Sequence, residues 1–254
     1  MFENKKHFLF AFLLAAASSC ACHAVDLSTT EIIDINGRVE VKKGQTEEFK
    51  KLNKNLKLSG SLKRLDGGDK VRTFTSSTAE MALKETCILA VKEQSLFEVP
   101  QTLGKEAITQ LKAQQGALLF KVISGSNFEV KTADVIAGVK GTLFEMDIVD
   151  GFRTMLEIPG MQFGTAVSGG TIVNVYRGEV DLTHAVTGES VKLKEGQSIN
   201  VFNRSALKYL QGFYRNGFGN INPIKNVREF LQNSFGSNAT ALLDIAPQIG
   251  PIKG

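Results

Sequence analysis

The sequence predicts an all-β fold with a small helical C-terminal extension, and three observations carry that prediction. Apolar and polar residues alternate with period two from about Ile32 to Phe202. Glycines punctuate the alternating runs at short intervals, from Gly44 and Gly60 through Gly116 and Gly125 to Gly188 and Gly196. After Asn203 the apolar spacing lengthens to that of a helix. Many short strands divided by turn residues are compatible with a sandwich, a barrel or a solenoid-like stacked coil, and the pattern alone does not choose among them.

The first 24 residues stand apart from this pattern. Lys5 and Lys6 precede the apolar run Phe8–Ala17, and Ser18–Ala24 is small and polar. That order reads as a secretory signal, with cleavage expected after Ala24. The run is too short to span a bilayer, which takes about 20 apolar residues. Lipidation of Cys20 is the alternative, although "ASSC" lacks the leucine that a lipobox carries. Export is therefore expected, most simply to the periplasm, with no transmembrane span. Of the three cysteines only Cys87 lies clearly beyond the signal, so the fold must rest on its apolar core and not on an internal disulfide.

The strands follow in order. Val71 and Thr73 alternate with Arg72, and Ala79, Met81 and Leu83 alternate with Glu80 and Lys84. Leu118/Phe120/Val122 and Phe128/Val130/Thr132 continue the series. Thr142/Phe144/Met146/Ile148 then oppose Leu143, Glu145 and Asp147, and pairs from Val173/Val175 to Ile199/Val201 complete it. Two segments interrupt the alternation. Thr102–Gln115 reads as one or two helical turns or a polar loop. Asp150–Gly170, with five glycines and a proline, reads as an extended hairpin or protruding loop.

Beyond Asn203, Leu207, Leu210 and Tyr214 sit at helical spacing. Asn222 as a cap, Pro223 at the first helical position and the stripe Ile224, Val227, Leu231 predict a second helix closed by Gly236. The resulting division is a signal over 1–24, an all-β domain over 25–203, a helical extension over 204–236 and a loose tail over 237–254.

The stretch "VIAGVKGTLFEMDI" at Val135–Ile148 decides how glycine is used here. A phosphate-cradling loop needs Gly-x-x-x-x-Gly-Lys-Ser/Thr followed by a helix. In this sequence Lys140 precedes Gly141, Thr142 takes the lysine's place, and strand alternation resumes at once. The alternative is a backbone corner, with Gly138 and Gly141 permitting a tight change of direction. Gly141 would then leave room for a close neighbour, and the Thr142 hydroxyl would satisfy a freed backbone group.

These residues carry a resemblance. "GVKGTLFEM" is similar to the Val-x-Gly-Thr-x-Phe signature of the FecR-domain family, on Gly141, Thr142 and Phe144. "LDGGDKVRT" resembles the family's Gly-Asp-x-Val-x-Thr element, on Gly68, Asp69, Val71 and Thr73. "NGRVEV", "STAEMAL", "QQGALLFKV" and "SNFEVKTA" stand where the family's other strands do. "VYRGEVDL" with Gly178 and "VKLKEGQSINV" with Gly196 resemble its closing strands. The resemblance covers roughly residues 32–202. It implies an exported, all-β, non-catalytic domain that works by binding. The family's familiar architecture adds a cytoplasmic sigma-regulating segment and a membrane helix; this sequence departs from it, with the signal leading straight into the domain.

Catalytic groups are sparse. His184 is the one histidine beyond the signal, and its place in "DLTHAVTGES" reads as an exposed strand end. One histidine and one cysteine make a zinc site improbable. The carboxylate pairs Asp147/Asp150 and Glu179/Asp181 could in principle serve glycoside hydrolysis, but Glu145, Asp147, Glu179 and Asp181 fall on polar strand faces, where solvated charges belong. The sequence also has no tryptophan and only three tyrosines to stack a sugar. "DGGD" at Asp66–Asp69 is too short for a calcium loop. No enzyme, cofactor or metal is expected.

The formal charge of +4 falls to +3 when the signal's two lysines and one glutamate leave. A local excess remains between Lys42 and Arg72, with ten Lys/Arg against four Asp/Glu. Isolated Phe49 and Phe74 do not supply the stacking platform that single-stranded nucleic acid needs, so nucleic acid is not an expected partner. The excess reads as a solvated face or as a dock for an anionic surface, with Lys50, Lys51, Lys54 and Lys57 as its candidates. Met155, Met161 and Phe163 of the glycine-rich segment are candidates for a second contact surface. The expected function is an envelope binding or scaffold module whose partner is an envelope protein or anionic polymer. The alternative is a signalling accessory that senses a receptor or ligand and relays its state to a separate membrane regulator.

Overall fold

The computed structural model describes residues 10–11, 24–25, 29–44, 46–84, 86–101, 109–150, 152–158, 161–167, 169–210 and 214–235. Two dipeptide strands, β1 (Phe10–Ala11) and β2 (Ala24–Val25), pair with each other, the second straddling the expected cleavage point after Ala24. The expected tail over 237–254 lies outside the described residues.

Period-two alternation becomes two sheets that share one strand. The first sheet contains β3 (Glu31–Asn36), β7 (Thr78–Leu83), β8 (Cys87–Val91), β10 (Thr109–Val122), β13 (Leu143–Val149), β16 (Gly170–Arg177), β19 (Gln197–Phe202) and β20 (Asn222–Pro223), in that spatial order and antiparallel throughout. The second runs β5 (Lys50–Lys51), β4 (Val39–Lys42), β6 (Lys70–Thr73), β9 (Leu96–Glu98), β10, β11 (Phe128–Lys131), β12 (Val135–Val139), β17 (Glu179–His184) and β18 (Ser190–Lys194). Its β10–β11 pair is parallel. The N-terminal half of β10 pairs β9 and β11, while its C-terminal half pairs β8 and β13. The sheets form an open two-sheet stack, not a closed barrel.

The chain passes repeatedly from one sheet to the other, and these corners are where the backbone turns to positive φ. Gly116, with φ of 85°, sits where β10 leaves one sheet for the other. A Cβ there would lie 2.2 Å from the Ser95 hydroxyl oxygen, so no side chain fits. Ser95 belongs to the adjacent corner between β8 and β9, and its amide donates to Thr73 Oγ1 at 2.9 Å. Corners are thus stacked with a small hydroxyl on one against a missing side chain on the next.

Inward residues from both sheets form one continuous core, including Val71, Met81, Leu89, Phe97, Phe120 and Phe144. Phe120 and Phe144 stack with centroids 4.9 Å apart. Burial of this apolar surface supplies the main stabilisation, at about 25 cal/mol per Å².

Two sequence expectations change. Thr109–Gln115 is strand and not helix: Thr109, Leu111 and Ala113 face inward, and the register to Glu98, Phe97 and Phe128 fixes them. The rest of that segment, 102–108, lies outside the described residues. Asn222 and Pro223 form edge strand β20 against Gln197 and Ser198, so the second helix, α2 (Val227–Phe235), starts one turn later. Asn226 caps it: its Oδ1 accepts from the Glu229 amide at 3.2 Å, and its side-chain Nδ2 donates to Glu229 Oε2 at 2.9 Å. The first helix, α1 (Arg204–Leu210), is capped by Asn203, whose Oδ1 accepts from the Ala206 amide at 2.7 Å. The Asp150–Gly170 segment contains a two-stranded hairpin, β14 (Phe152–Ile158) with β15 (Met161–Val167).

Helix α2 lies on the outer face of the first sheet. Leu231 is fully buried there with Ile88, Leu119, Leu143 and Tyr176, and Ile224, Val227 and Phe235 pack around them. This second, smaller core takes Leu143 of β13 and Tyr176 of β16 out of solvent.

Candidate functional site

At the glycine corner, Gly141 has φ of 63°, and a Cβ added to it would fall 2.8 Å from Ser124 Oγ. The buried Thr142 donates its hydroxyl to the Glu179 carbonyl at 2.9 Å. Gly178 crosses above it, with a Cβ position 3.0 Å from Thr142 Oγ1. Phe144 lies in the core. Gly138 differs from the expectation. It sits inside β12 opposite Asp181, and an added Cβ would meet only the Asp181 carbonyl oxygen, at 3.8 Å. No change of direction occurs there. Gly196, at φ of 74°, turns β18 into β19 and has open space where a Cβ would stand.

Asp69 is 2% exposed, and its carboxylate gathers three segments. Oδ1 accepts from the Gly44 amide at 2.9 Å, and Oδ2 accepts from the Asp66 amide at 2.8 Å and from Lys43 Nζ at 2.7 Å. Val71 is fully buried beside it in β6. The Thr73 hydroxyl donates to the Lys92 carbonyl at 2.5 Å and accepts from Ser95. Gly68 (φ of 88°) brings this turn under Gln101.

His184 is buried, which corrects the expectation of an exposed residue. It is 1% exposed, and its Nδ1 accepts from the amides of Val186 and Thr187, each at 3.1 Å. Nε2 then donates to the Phe202 carbonyl at 2.9 Å. Both ring nitrogens are committed to backbone, so this imidazole ties the β17–β18 turn to the end of β19. Cys87 is also fully buried, with its Sγ 3.1 Å from the Ile88 carbonyl, and burial pushes its thiol well above the usual range. Glu179 and Asp181 are exposed and share Lys192, at 3.4 and 3.3 Å. Among the described residues, no group of three or more His, Cys, Asp or Glu could hold a metal ion.

Lys50 and Lys51 form edge strand β5, and Lys54 and Lys57 follow in the turn and the 3-10 segment Leu56–Lys63; all four are exposed. Among the described residues no carboxylate stands within ion-pairing distance of them. The neighbouring charges on this face are neutralised instead. Arg38 and Arg72 both bind Glu40, at 2.7 Å and 2.9 Å through their Nε atoms, and stack on Phe74. Burial alone would raise the Glu40 carboxyl, but the hydrogen bonds from Arg72 and Arg38 outweigh it and hold the group below its ordinary value. Met155, Met161 and Phe163 lie in the β14–β15 hairpin, where Phe163 registers with Leu156 and Met161 with Ile158; their side chains lie outside the described residues.

The polar group that sequence reading assigned to solvent is Glu145. Helix α2 covers it, leaving it 3% exposed. Tyr176 donates its hydroxyl to Oε2, and Asn174 Nδ2 donates to the same oxygen at 3.1 Å. Lys92 Nζ stands 3.8 Å from Oε1. Burial pushes the Glu145 carboxyl above its ordinary value, against these partners, and also raises Asp147 despite Lys92. Tyr176 and Asn174 reach this site from the same face of β16, two residues apart, while Val173 and Val175 point into the main core. Glu145 floors a groove of about 570 Å³ between the sheet and the β20–α2 segment. Its row of polar residues was visible strand by strand as outward positions. The signal for the roof was the Asn-x-x-Glu spacing at Asn226.

No helix among the described residues is long and apolar enough to cross a membrane. Residues 69–181 match the family model described as FecR protein, and this stretch of the chain is a FecR-family domain. None of the curated proteins matches the chain. Two crystal structures of a protein from Parabacteroides distasonis ATCC 8503, provisionally described as an anti-sigma factor, are similar to it. One, at 1.65 Å, shares 13% identity with a TM-score of 0.41, covering 66% of this chain and 92% of that one. The other, at 2.50 Å, shares 14% identity with a TM-score of 0.41, covering 66% and 91%.

Proposed function

We propose that this chain is an exported, non-catalytic binding module of the cell envelope, docking through its lysine-bearing edge onto an anionic surface. The observation that carries this reading is the set Lys50, Lys51, Lys54 and Lys57, exposed together on β5 and the segment after it, while neighbouring Arg38 and Arg72 are consumed by Glu40. Each lysine near an anionic surface contributes about 1 kcal/mol at moderate salt. The signal-like first 24 residues support export, and the internal commitment of His184 and Cys87 supports a non-catalytic role.

The test is co-sedimentation of purified protein with vesicles rich in anionic phospholipid. Binding is expected to fall steeply with added salt and to be lost on Lys50→Glu/Lys51→Glu/Lys54→Glu/Lys57→Glu. Retention by the quadruple variant would overturn the reading. A second reading, a signalling accessory that relays to a separate membrane regulator, is favoured by the FecR match over 69–181. It expects crosslinking in cells to recover one membrane-spanning protein.

A further inference from the structure

The groove beneath α2 has a floor built in register. Glu145, Asn174, Ser198 and Asn222 occupy one rung across β13, β16, β19 and β20, so a carboxylate, an amide, a hydroxyl and a second amide stand side by side on one sheet face. Asp147 and Ile172 continue the floor one step along the strands. The roof and its approach add Ile224, Asn226, Phe230 and Asn233. Phe230 is 41% exposed, with its ring 6.1 Å from that of Tyr176. Of the apolar side chains of α2, Leu231 is buried and Val227 and Phe235 are half-buried, so Phe230 is the one left open, beside this row of hydrogen-bonding groups.

We propose that this groove binds an N-acetylated saccharide. Its volume lies within the range of about 300–1,000 Å³ usual for small-ligand sites. Its polar lining combines four amides and two hydroxyls with five charged groups. The lining charges are mixed, with Lys92 and Lys225 against Glu145, Asp147 and Glu229, which suits neither a phosphate nor a bare cation. A sugar ring offers an apolar C–H face for Phe230 and hydroxyl edges for the carboxylates and asparagines. An acetamido group offers one N–H, one carbonyl and one methyl. The groove holds carboxylate acceptors, amide donors and the aliphatic Ile172 and Ile224 to match them. The site is separate from the lysine edge and stands whether or not that edge docks to anything.

The test is an amide-resolved NMR titration of the purified protein with triacetylchitotriose and, in parallel, cellotriose, which lacks the acetamido groups. Chitotriose is expected to shift the amides of Asn174, Ser198, Phe230 and Asn233, with cellotriose at least about tenfold weaker. Phe230→Ala and Asn233→Ala, both on the groove side of an intact helix by circular dichroism, are each expected to weaken binding about tenfold, the worth of one well-placed contact. The quadruple lysine variant is expected to bind chitotriose like the parent. Unmoved groove amides, equal response to cellotriose, or full binding by Phe230→Ala would overturn the proposal. Vesicle binding that survives any of these results leaves the lysine-edge reading intact, so the two fail separately.

Discussion

Tyr176 and Glu145 are joined by a hydrogen bond across the β13–β16 pair, phenol to carboxylate, beneath the helix that the chain adds after its last long strand. The pair sits at the boundary between the small apolar core and the polar groove. Its energetics are therefore set by burial as much as by contact.

Burial raises the Glu145 carboxyl above its ordinary value of 4.5 in the folded protein. A group raised in this way contributes stability that is fully present below its unfolded value and is lost as pH climbs through the folded one. Glu145→Gln keeps the shape and removes the charge. Relative to the parent, the variant is expected to gain stability as pH rises from about 4 to about 8. Urea denaturation at both ends of that range measures it, and a constant difference would show that Glu145 does not titrate with folding. Tyr176→Phe is expected to cost about 1–3 kcal/mol, because the buried carboxylate loses a donor.

At the Gly141 corner the backbone and the Ser124 hydroxyl both exclude a side chain. Gly141→Val is expected to cost at least about 2 kcal/mol through left-handed strain and the clash. Gly138→Ala, only three residues earlier, is expected to stay within about 0.5 kcal/mol because its strand conformation suits any residue. Thermal melts of the two variants decide this. Equal losses would mean the corner is not set by Gly141.

His184 holds three backbone groups through two ring nitrogens. His184→Ala is expected to cost at least about 2 kcal/mol by leaving them unsatisfied. His184→Gln, which offers one acceptor and one donor, is expected to recover part of the loss. Denaturant midpoints read both, and a neutral His184→Ala would remove the structural role assigned to the ring.

The strands were legible in the sequence because alternation such as Phe128/Val130 against Glu129/Lys131 is a local signal, and inward burial follows it directly. The Gly141 corner was legible for the same reason, since a glycine between two alternating runs needs no distant information. Thr109–Gln115 was not, because its Gln, Lys and Ala residues favour helix, and the pairing that overrides them comes from Glu98, Phe97 and Phe128 elsewhere in the chain. The helix start was misplaced because Pro223 is a strong local cue, yet β19 recruits it as an edge partner. His184 looked exposed because its acceptor, Phe202, lies 18 residues away. The groove was hidden for a related reason. Its floor draws on four strands and its roof on a helix, and each contributes residues that look solvated until the helix folds back.

Val149 pairs directly with Gly170, so β13 and β16 are adjacent strands whose ends already meet. Everything between them, the β14–β15 hairpin included, is an excursion that leaves the sheet and returns to the point of departure. A hairpin turn of about 2–5 residues could close that gap without shifting any register. The fold thus carries a detachable arm. Because the β13–β16 register is set on either side of it, this junction is a natural port for grafting a foreign recognition loop.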